Sequence, residues 1–342
     1  MSRLLVAQRA LTVPGWVKDA LWRSAQAIPS LDLRFAENKS LTDAVTGASL
    51  VTFTRASSGT FVGSDGVLQT AAIDVPRFDH NPTTGESLGL LVEEQRTNLL
   101  LNSGTLSTQS VTVTAVAHTL SFTGTGTITL TGTSTAGPLV GTGTGEANRA
   151  SLTFTPTAGS LTLTVSGTVT NAQLEAGAFR TSYIVTAGAQ ATRSADVASI
   201  TGTAFSGWYN QSEGSFYSDS LILRSQIKTQ VVWSAEGGTF STSLRQPQST
   251  ANQFRALVNN VFTASTGANL TDGATKAAVA YSGAQGRLQV GTAGVDATGA
   301  GTSDAITLGI GNTGGTTQLN GHIRRLTYWP QALPSRLQAL TQ

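Results

Sequence analysis

Residues 121–135 read SFTGTGTITLTGTST, and this stretch decides the fold class of the chain. Within it Thr alternates with Gly, Ile or Leu, and alternation at period two is typical of strands with one buried face. Thr is β-branched and favours strands, whereas Gly and Ser mark the turns that join them. Long runs elsewhere in the chain have the same balance of residues. The sequence therefore predicts an all-β protein.

The surroundings of this stretch have almost no charge. Between Thr97 and Gly145 there is no Asp, Glu, Lys or Arg, and one interpretation is a disordered Gly/Thr linker. The alternative is a small β-sandwich, because apolar residues continue to alternate and the high net charge of disordered chains is missing. The alternating residues are Val111, Val113, Phe122, Ile128, Leu130, Leu152, Phe154, Leu161, Leu163 and Val165. We therefore expect a sandwich, with residues 137–145 as its loosest loop.

The overall composition argues against several classes of protein. Of 342 residues only 12% are charged, and the formal net charge is +2. Nucleic-acid binding needs several phosphates neutralised together, and no basic cluster is present. No apolar stretch approaches the roughly 20 residues that span a bilayer. Because Cys is absent, Cys-based zinc sites and disulfides are excluded. We expect no nucleic-acid partner and no membrane insertion.

The N-terminal region, residues 1–30, is expected to be an anchor segment with a short helix. Apolar residues from Trp16 onward fall three or four apart, between Pro14 and Pro29, which predicts an amphipathic helix. The helix could dock on its own domain, or anchor a neighbouring subunit through Trp16 and Trp22. Arg9 interrupts the preceding apolar patch, so we expect no secretory signal.

Residues 31–103 are expected to be a hairpin-rich region. Short apolar segments such as Leu31–Phe35 and Leu50–Thr54 predict strands. Asp65-Gly66, between Thr60–Val62 and Val67–Thr70, suits a hairpin turn because Gly accepts positive φ.

Residues 199–342 predict a second, larger sandwich, because many strands follow one another with Gly or Asn between them. The expected strands are Gly214–Leu223, Thr229–Ser234, Gly238–Leu244, Asn252–Asn259, Ala274–Tyr281, Arg287–Val290, Ala305–Ile310 and Gln318–Tyr328. A last helix, Pro334–Leu340, is expected to turn Leu337 and Leu340 toward this sandwich.

Two blocks of sequence resemble virion proteins of tailed bacteriophages, and two further segments resemble a lectin-like sandwich. Residues 53–103, FTRASSGTFVGSDGVLQTAAIDVPRFDHNPTTGESLGLLVEEQRTNLLLNS, are similar to a block with an RAS strand, a DG hairpin, PRFD, a GLLxE strand and RTNLL. Residues 172–197, AQLEAGAFRTSYIVTAGAQATRSADV, look like the end of a jelly-roll module in the same proteins. Residues 213–222 and 319–341 resemble the two ends of a concanavalin A-like, laminin-G-type sandwich.

The resemblance implies a head spike, head fibre or tail fibre on the virion surface. It also implies four regions: residues 1–30, a virion docking domain at 31–103, a small jelly-roll-like Thr/Gly-rich sandwich at 104–198, and a lectin-like domain at 199–342. Here the middle sandwich looks shortened. Other virion proteins of capsid, portal or tail are then the expected partners, together with host surface glycans and further copies of the chain, as a trimer in the favoured case.

No catalytic residue is expected. His80, His118 and His322 fall in different predicted units, and Gly-x-Ser-x-Gly is absent. Glycoside hydrolysis needs two carboxylates facing one substrate, whereas Glu93 and Glu94 are neighbours and should point to opposite faces of a strand. We interpret Glu94 and Arg96, two residues apart, as a structural pair.

The sites that the sequence suggests are contact sites. Lectin-like sandwiches bind sugars on aromatic platforms, although aromatic residues in sandwiches are usually core. In an adjacent pair on a strand, one ring should be exposed. The candidates for glycan or subunit contact are Trp208, Tyr209, Trp233, Tyr328 and Trp329.

No cofactor is expected, and calcium stays open. Laminin-G-type relatives sometimes hold the ion, and loop carboxylates such as Asp272, Asp296 and Asp304 could supply oxygen ligands.

The sequence therefore predicts a non-enzymatic virion subunit that attaches to host glycans. One alternative is a capsid decoration or spike protein without a receptor role. Another is a polysaccharide depolymerase.

Overall fold

The computed structural model describes residues 19–222, 229–237, 242–246, 254–258, 261–264, 273–283, 285–298 and 304–342. The first half contains α1 (Ala20–Ala25), β1 (Leu31–Leu33), α2 (Phe35–Asn38), β2 (Thr52–Thr54), β3 (Gly59–Val62), β4 (Leu68–Ala71), β5 (Phe78–His80), β6 (Ser87–Val92), β7 (Arg96–Asn98), β8 (Gln109–Val113), β9 (His118–Thr123), β10 (Thr127–Gly132), β11 (Leu139–Val140), β12 (Ala150–Phe154), β13 (Gly159–Ser166) and β14 (Thr170–Ala176). The second half contains β15 (Ala191–Arg193), β16 (Val197–Thr201), α3 (Gly202–Ser206), β17 (Glu213–Ile222), β18 (Gln230–Gly237), β19 (Thr242–Gln246), β20 (Arg255–Val258), β21 (Val261–Ala264), β22 (Gly273–Ser282), β23 (Gln285–Val290), β24 (Ala293–Thr298), β25 (Ala305–Ile310), β26 (Gly321–Trp329) and α4 (Leu337–Thr341).

The charge-free middle of the chain forms a small β-sandwich, as the alternation predicts. One sheet has the order β11-β10-β13-β8, and the facing sheet has the order β12-β9-β14. Ile128 lies opposite Val165, and Leu130 lies opposite Leu163, so these strands turn their apolar residues to one face. Phe122 and Leu174 from the facing sheet complete this core. The linker interpretation is therefore wrong for this segment.

The larger sandwich is built from two long sheets. The first has the order β24-β23-β22-β17-β26-β6-β5, with β1 also paired to β26, and the second has the order β2-β16-β25-β18-β19-β20-β21. A large apolar core includes Phe216 and Trp233, whose rings stack with their centroids 4.0 Å apart. The predicted concanavalin A-like sandwich therefore contains strands from both ends of the chain.

Strands of the predicted docking region take part in these sheets. β1 pairs with β26, β6 pairs with β26, and β2 pairs with β16. The apolar side chains of Leu31, Leu33, Leu90 and Val92 accordingly belong to the core of the larger sandwich. The hairpin of β3 and β4 that the sequence predicts around Asp65-Gly66 is present.

A layer of short helices covers the outer face of the first sheet. Leu337 and Leu340 from α4 are buried with Trp329 and Ala25, so the predicted last helix docks as expected. The N-terminal helix ends earlier than the sequence pattern predicts. It stops at Ala25 because Gln26 takes a left-handed conformation, and Trp329 Nε1 donates to the Ala27 carbonyl at 3.0 Å.

None of the helices in the described ranges is long and apolar enough to cross a membrane.

Candidate functional site: a buried ion cluster and the cleft beside it

Five charged residues from the two phage-like blocks meet in the interior. Arg55 comes from the RAS segment, Arg77 from PRFD, Glu93 from GLLVE, and Arg193 and Asp196 from the second block. All five are buried. We refer to these five residues as the ion cluster.

The ion cluster is held by short contacts. Arg77 Nη1 lies 2.8 Å from Glu93 Oε2, and Arg193 Nη1 lies 3.1 Å from the same oxygen. Asp196 pairs with Arg77 through Oδ2, while its Oδ1 lies 3.2 Å from Arg55 Nη1. Buried charges are costly unless they are paired and hydrogen-bonded, and each carboxylate here has two guanidinium partners.

Neighbouring segments add further hydrogen bonds to the cluster. Ser182 donates to Glu93 from its backbone N–H at 2.7 Å and from its hydroxyl at 2.6 Å. The Glu93 N–H donates to Asp196 Oδ2 at 2.8 Å, and Arg77 Nη1 donates to the Thr60 carbonyl at 2.9 Å. The cluster therefore ties the hairpin region to the segment between β14 and β15.

The arrangement favours the ionised forms of Glu93 and Arg77. Burial alone would raise the pKa of Glu93, but Arg193, Arg77 and the hydrogen bonds from Ser182 hold it well below its ordinary value. Burial opposes the charge of Arg77, but Asp196 and Glu93 hold its pKa above the ordinary value. A general acid in glycoside hydrolysis needs a raised carboxyl pKa, and the pKa of Glu93 is shifted the other way.

A cleft of about 380 Å³ lies beside the ion cluster, where the hairpin region, the middle sandwich and the larger sandwich meet. We call it the junction cleft. Its lining includes Phe61, Asp79, His80, Leu91, Glu93, Glu146, Arg149, Arg180, Ser182, Tyr183, Ile222, Asn320 and His322.

Two histidines that the sequence assigns to different units line this one cleft. His322 Nε2 lies 2.8 Å from Asp79 Oδ2, and His80 Nδ1 lies 3.1 Å from the Val62 carbonyl oxygen. They meet because β5, β6 and β26 are neighbours in one sheet. His118 lies apart in the middle sandwich, with Nδ1 2.8 Å from the Val116 carbonyl oxygen.

Two arginines and a glutamate form the wall contributed by the middle sandwich. Arg149 Nη2 donates to Ser121 Oγ at 2.9 Å, and its guanidinium lies 5.9 Å from the centre of the Tyr183 ring. Glu146 Oε2 lies 3.6 Å from Arg149 Nη1. Arg180 is exposed, and its Nη1 donates to the Arg149 carbonyl at 2.7 Å.

The aromatic residues predicted for contact lie in the interior instead. Trp208, Tyr209, Trp233 and Tyr328 belong to the main core, and Trp329 lies under the helices. The expectation of one exposed ring in each adjacent pair is wrong. Tyr328 and Trp329 do face opposite sides of β26, but α1 and α4 cover the second side.

The hydroxyl groups of the buried tyrosines form hydrogen bonds inside the protein. The Tyr281 and Tyr328 hydroxyls lie 2.9 Å apart, and both donate to the Asn210 carbonyl. Burial raises the pKa of both hydroxyls. Whether any of the five aromatic candidates contacts a glycan or subunit stays a prediction, which their burial does not favour.

The two tryptophans proposed as anchors can be compared only in part. Trp16 lies outside the described residues. Trp22 is half-buried on α1, with Nε1 donating to Asp32 Oδ2 at 3.0 Å and Arg34 stacked 5.5 Å from its ring centre. These contacts fit docking of the helix on its own domain.

The loop carboxylates considered for calcium do not assemble in the described part of the chain. Asp296 lies on β24 rather than in a loop, 2.7 Å from Arg287 Nη1, and Asp272 lies outside the described residues. Across the described ranges, no group of three or more His, Asp or Glu side chains could hold a metal ion.

The junction cleft was missed in the sequence, although one signal for it exists. Glu146 and Arg149 are the first charged residues after the long charge-free run, and Arg180 lies within the second phage-like block. In a segment with so few charged residues, an isolated charged side chain indicates a position where the fold either pairs a charge internally or places one at the surface. Only the structure shows that all three line one cleft.

Comparison with known proteins gives fold similarities only. No family profile and no curated protein matches the chain. Similar solved structures include the CBM40 domain of a Ruminococcus gnavus sialidase bound to α2,3-sialyllactose, at TM-score 0.34 and 13% identity, over 40% of this chain and 86% of that domain. A Trypanosoma rangeli sialidase in complex with the inhibitor DANA matches at TM-score 0.32 and 14% identity, over 42% of this chain.

A third similar structure is the receptor-binding domain of a botulinum neurotoxin of C/D mosaic serotype. It matches at TM-score 0.32 and 7% identity, over 43% of this chain and 40% of that one. The chain spans only 25% of the trypanosome sialidase.

Proposed function

We propose that this chain is a structural subunit of a bacteriophage virion, displayed on the particle surface as a head or tail fibre or spike. Its larger, lectin-like sandwich contacts glycans of the host cell, and adhesion comes from many weak sites acting together. The chain assembles with other virion proteins and with copies of itself, in the favoured case as a trimer. It carries out no catalysis.

The observation that carries this proposal is the ion cluster. Its five residues all belong to the two blocks that resemble phage virion proteins, residues 53–103 and 172–197. Their charges are buried, and each of the two carboxylates is paired with two guanidinium groups. Buried and paired charges of this kind maintain a fold rather than supply reactive groups. A stable fold is what an assembly subunit needs.

One feature supports a role in binding rather than in catalysis. The pKa of Glu93, a carboxylate that lines the junction cleft, is held below its ordinary value, which disfavours proton donation. The depolymerase alternative would need a carboxyl group that stays protonated near neutral pH.

Co-purification tests the virion role, and glycan arrays test the attachment role. The chain should band with infectious particles in a density gradient, and the purified chain should be retained on arrays of host surface polysaccharides. Banding without retention on any glycan would favour the decoration protein. Release of new reducing ends from host polysaccharide would contradict the non-catalytic role.

A further inference from the structure

The junction cleft has the size and lining of a small-molecule site. Its volume of about 380 Å³ falls within the range of ligand pockets, roughly 300–1,000 Å³. Apolar side chains such as Leu91, Ile222 and Phe61 alternate around it with charged and amide groups. Three separate parts of the chain supply the walls, so the cleft exists only when they are assembled.

Three polar atoms of its lining lack partners within the described residues. They are Arg149 Nε, Glu146 Oε1 and His80 Nε2, and all three are buried. Buried polar atoms without hydrogen bonds are costly and rare in folded proteins. The first can only donate, the second can only accept while ionised, and the third accepts in the neutral ring, because Nδ1–H faces the Val62 carbonyl.

A ligand that forms hydrogen bonds with all three atoms must therefore both donate and accept. Sugar hydroxyl groups do both, since each has one donor and two acceptor positions. The apolar lining offers a surface for the C–H face of a sugar ring, while Ser182 and Asn320 add further polar groups nearby.

The two arginines that line the cleft differ in their ion pairs. Glu93 is paired with Arg77 and Arg193, and Glu146 is paired with Arg149.

Asp79 accepts the Val62 N–H at 2.6 Å through Oδ1 and faces His322 through Oδ2. Arg180 forms no ion pair within the described residues, although Glu146 and Glu175 act on its charge from farther away, and its donated hydrogen bond goes to a backbone carbonyl. A guanidinium placed in this way can bind a carboxylate through two parallel hydrogen bonds.

We propose that the junction cleft binds a saccharide unit that bears a carboxylate, with Arg180 pairing with that carboxylate and Glu146 and Arg149 binding sugar hydroxyls. This inference rests on the proposed function. It names the class of glycan and places the glycan contact in the junction cleft instead of at the aromatic residues.

The test is an array that presents uronic-acid-containing bacterial oligosaccharides beside the same oligosaccharides as methyl esters. The ester keeps every hydroxyl and removes the charge. Wild-type chain should be retained by acidic members and lose roughly tenfold or more in affinity on the esters, as expected for loss of a charge-assisted hydrogen bond.

Arg180→Ala should reduce retention on the acidic members by a similar factor, and Arg180→Lys by less. Because Arg180 also donates to the Arg149 carbonyl, thermal unfolding of both variants checks that lost retention does not come from lost stability. Arg287→Ala removes an arginine outside the cleft, from a pair with Asp296, and serves as the matched control that should bind like wild type.

The outcomes separate the two proposals. Equal retention of wild type and Arg180→Ala, or equal retention of acids and esters, would overturn the inference while leaving a glycan-binding subunit in place. Retention of no glycan by the wild-type chain would remove both this inference and the attachment role.

Discussion

Arg77 and Glu93, sixteen positions apart in the sequence, form a buried ion pair with Nη1 2.8 Å from Oε2. One belongs to the PRFD segment and the other to the GLLVE segment. The second phage-like block adds Arg193 to Glu93 and Asp196 to Arg77. Short charged motifs that look unrelated in the sequence are therefore the two sides of one internal junction.

Breaking this junction should be strongly destabilising. Arg77→Met removes a partner from Glu93 and from Asp196, and losing one side of a buried ion pair typically costs about 3–5 kcal/mol. We expect a lower midpoint in urea unfolding. Arg287→Met, which removes an exposed pair, should change the free energy of unfolding by less than about 0.5 kcal/mol. Equal midpoints for the two variants would show that the cluster does not stabilise the fold.

Stability should depend on acid through Glu93. Its pKa in the folded chain lies below its ordinary value of 4.5, so the unfolded chain binds more protons as the pH falls past that value. The contribution is therefore fully present above about pH 4.5 and is lost as the pH falls toward the folded pKa.

Glu93→Gln isolates this contribution, because the other carboxylates are common to both proteins. We expect the variant to be less stable at neutral pH and to lose less stability between about pH 5 and pH 3. Urea unfolding across this range measures the difference. Parallel stability profiles for the two proteins would contradict the assignment.

The glycine of the GLLxE motif should resist replacement. Gly89 has φ +92°, and a Cβ there would lie 2.2 Å from the Ile323 carbonyl oxygen. Gly47 also has positive φ, at +78°, but has open space around it.

We expect Gly47→Ala to cost about 1–2 kcal/mol from its backbone conformation alone. Gly89→Ala should cost clearly more, because β6 must also move away from β26. Thermal or urea unfolding compares the two. A Gly89→Ala variant as stable as Gly47→Ala would mean that the strands separate without penalty.

Trp329 should behave as a core residue. It is fully buried beneath α1 and α4, so Trp329→Ala should cost about 3–5 kcal/mol. Hydrogen exchange should become faster in both helices, whereas Val140→Ala, at an exposed position, should change neither. Unchanged stability together with loss of glycan retention would instead restore the aromatic contact site.

The sequence predicts the strands and turns of this fold whose signals lie within a few neighbouring residues. The alternation around Ile128 and Leu130 predicts paired strands, and Asp65-Gly66 predicts a hairpin, because both signals lie within a few residues. The same reasoning places Tyr328 and Trp329 on opposite faces of β26. It cannot predict that helices from the two ends of the chain cover the second face.

The candidate site is formed by residues that are far apart in the sequence, and no local pattern predicts which of them line the same cleft. His80 and His322 are far apart in sequence and become neighbours only because β5, β6 and β26 adjoin. Arg180 is brought beside them by the segment between β14 and β15, which Ser182 fastens to Glu93. Local motifs set apart residues 53–103 and 172–197, but they could not predict that charges from these two segments face one another.

The most direct test of the virion role is immunogold electron microscopy of phage particles from lysates of cells that encode this chain. The account predicts label at a fixed position on the outside of intact particles, on the head or on the tail. Particles that remain unlabelled while the chain stays entirely in the particle-free supernatant would contradict it.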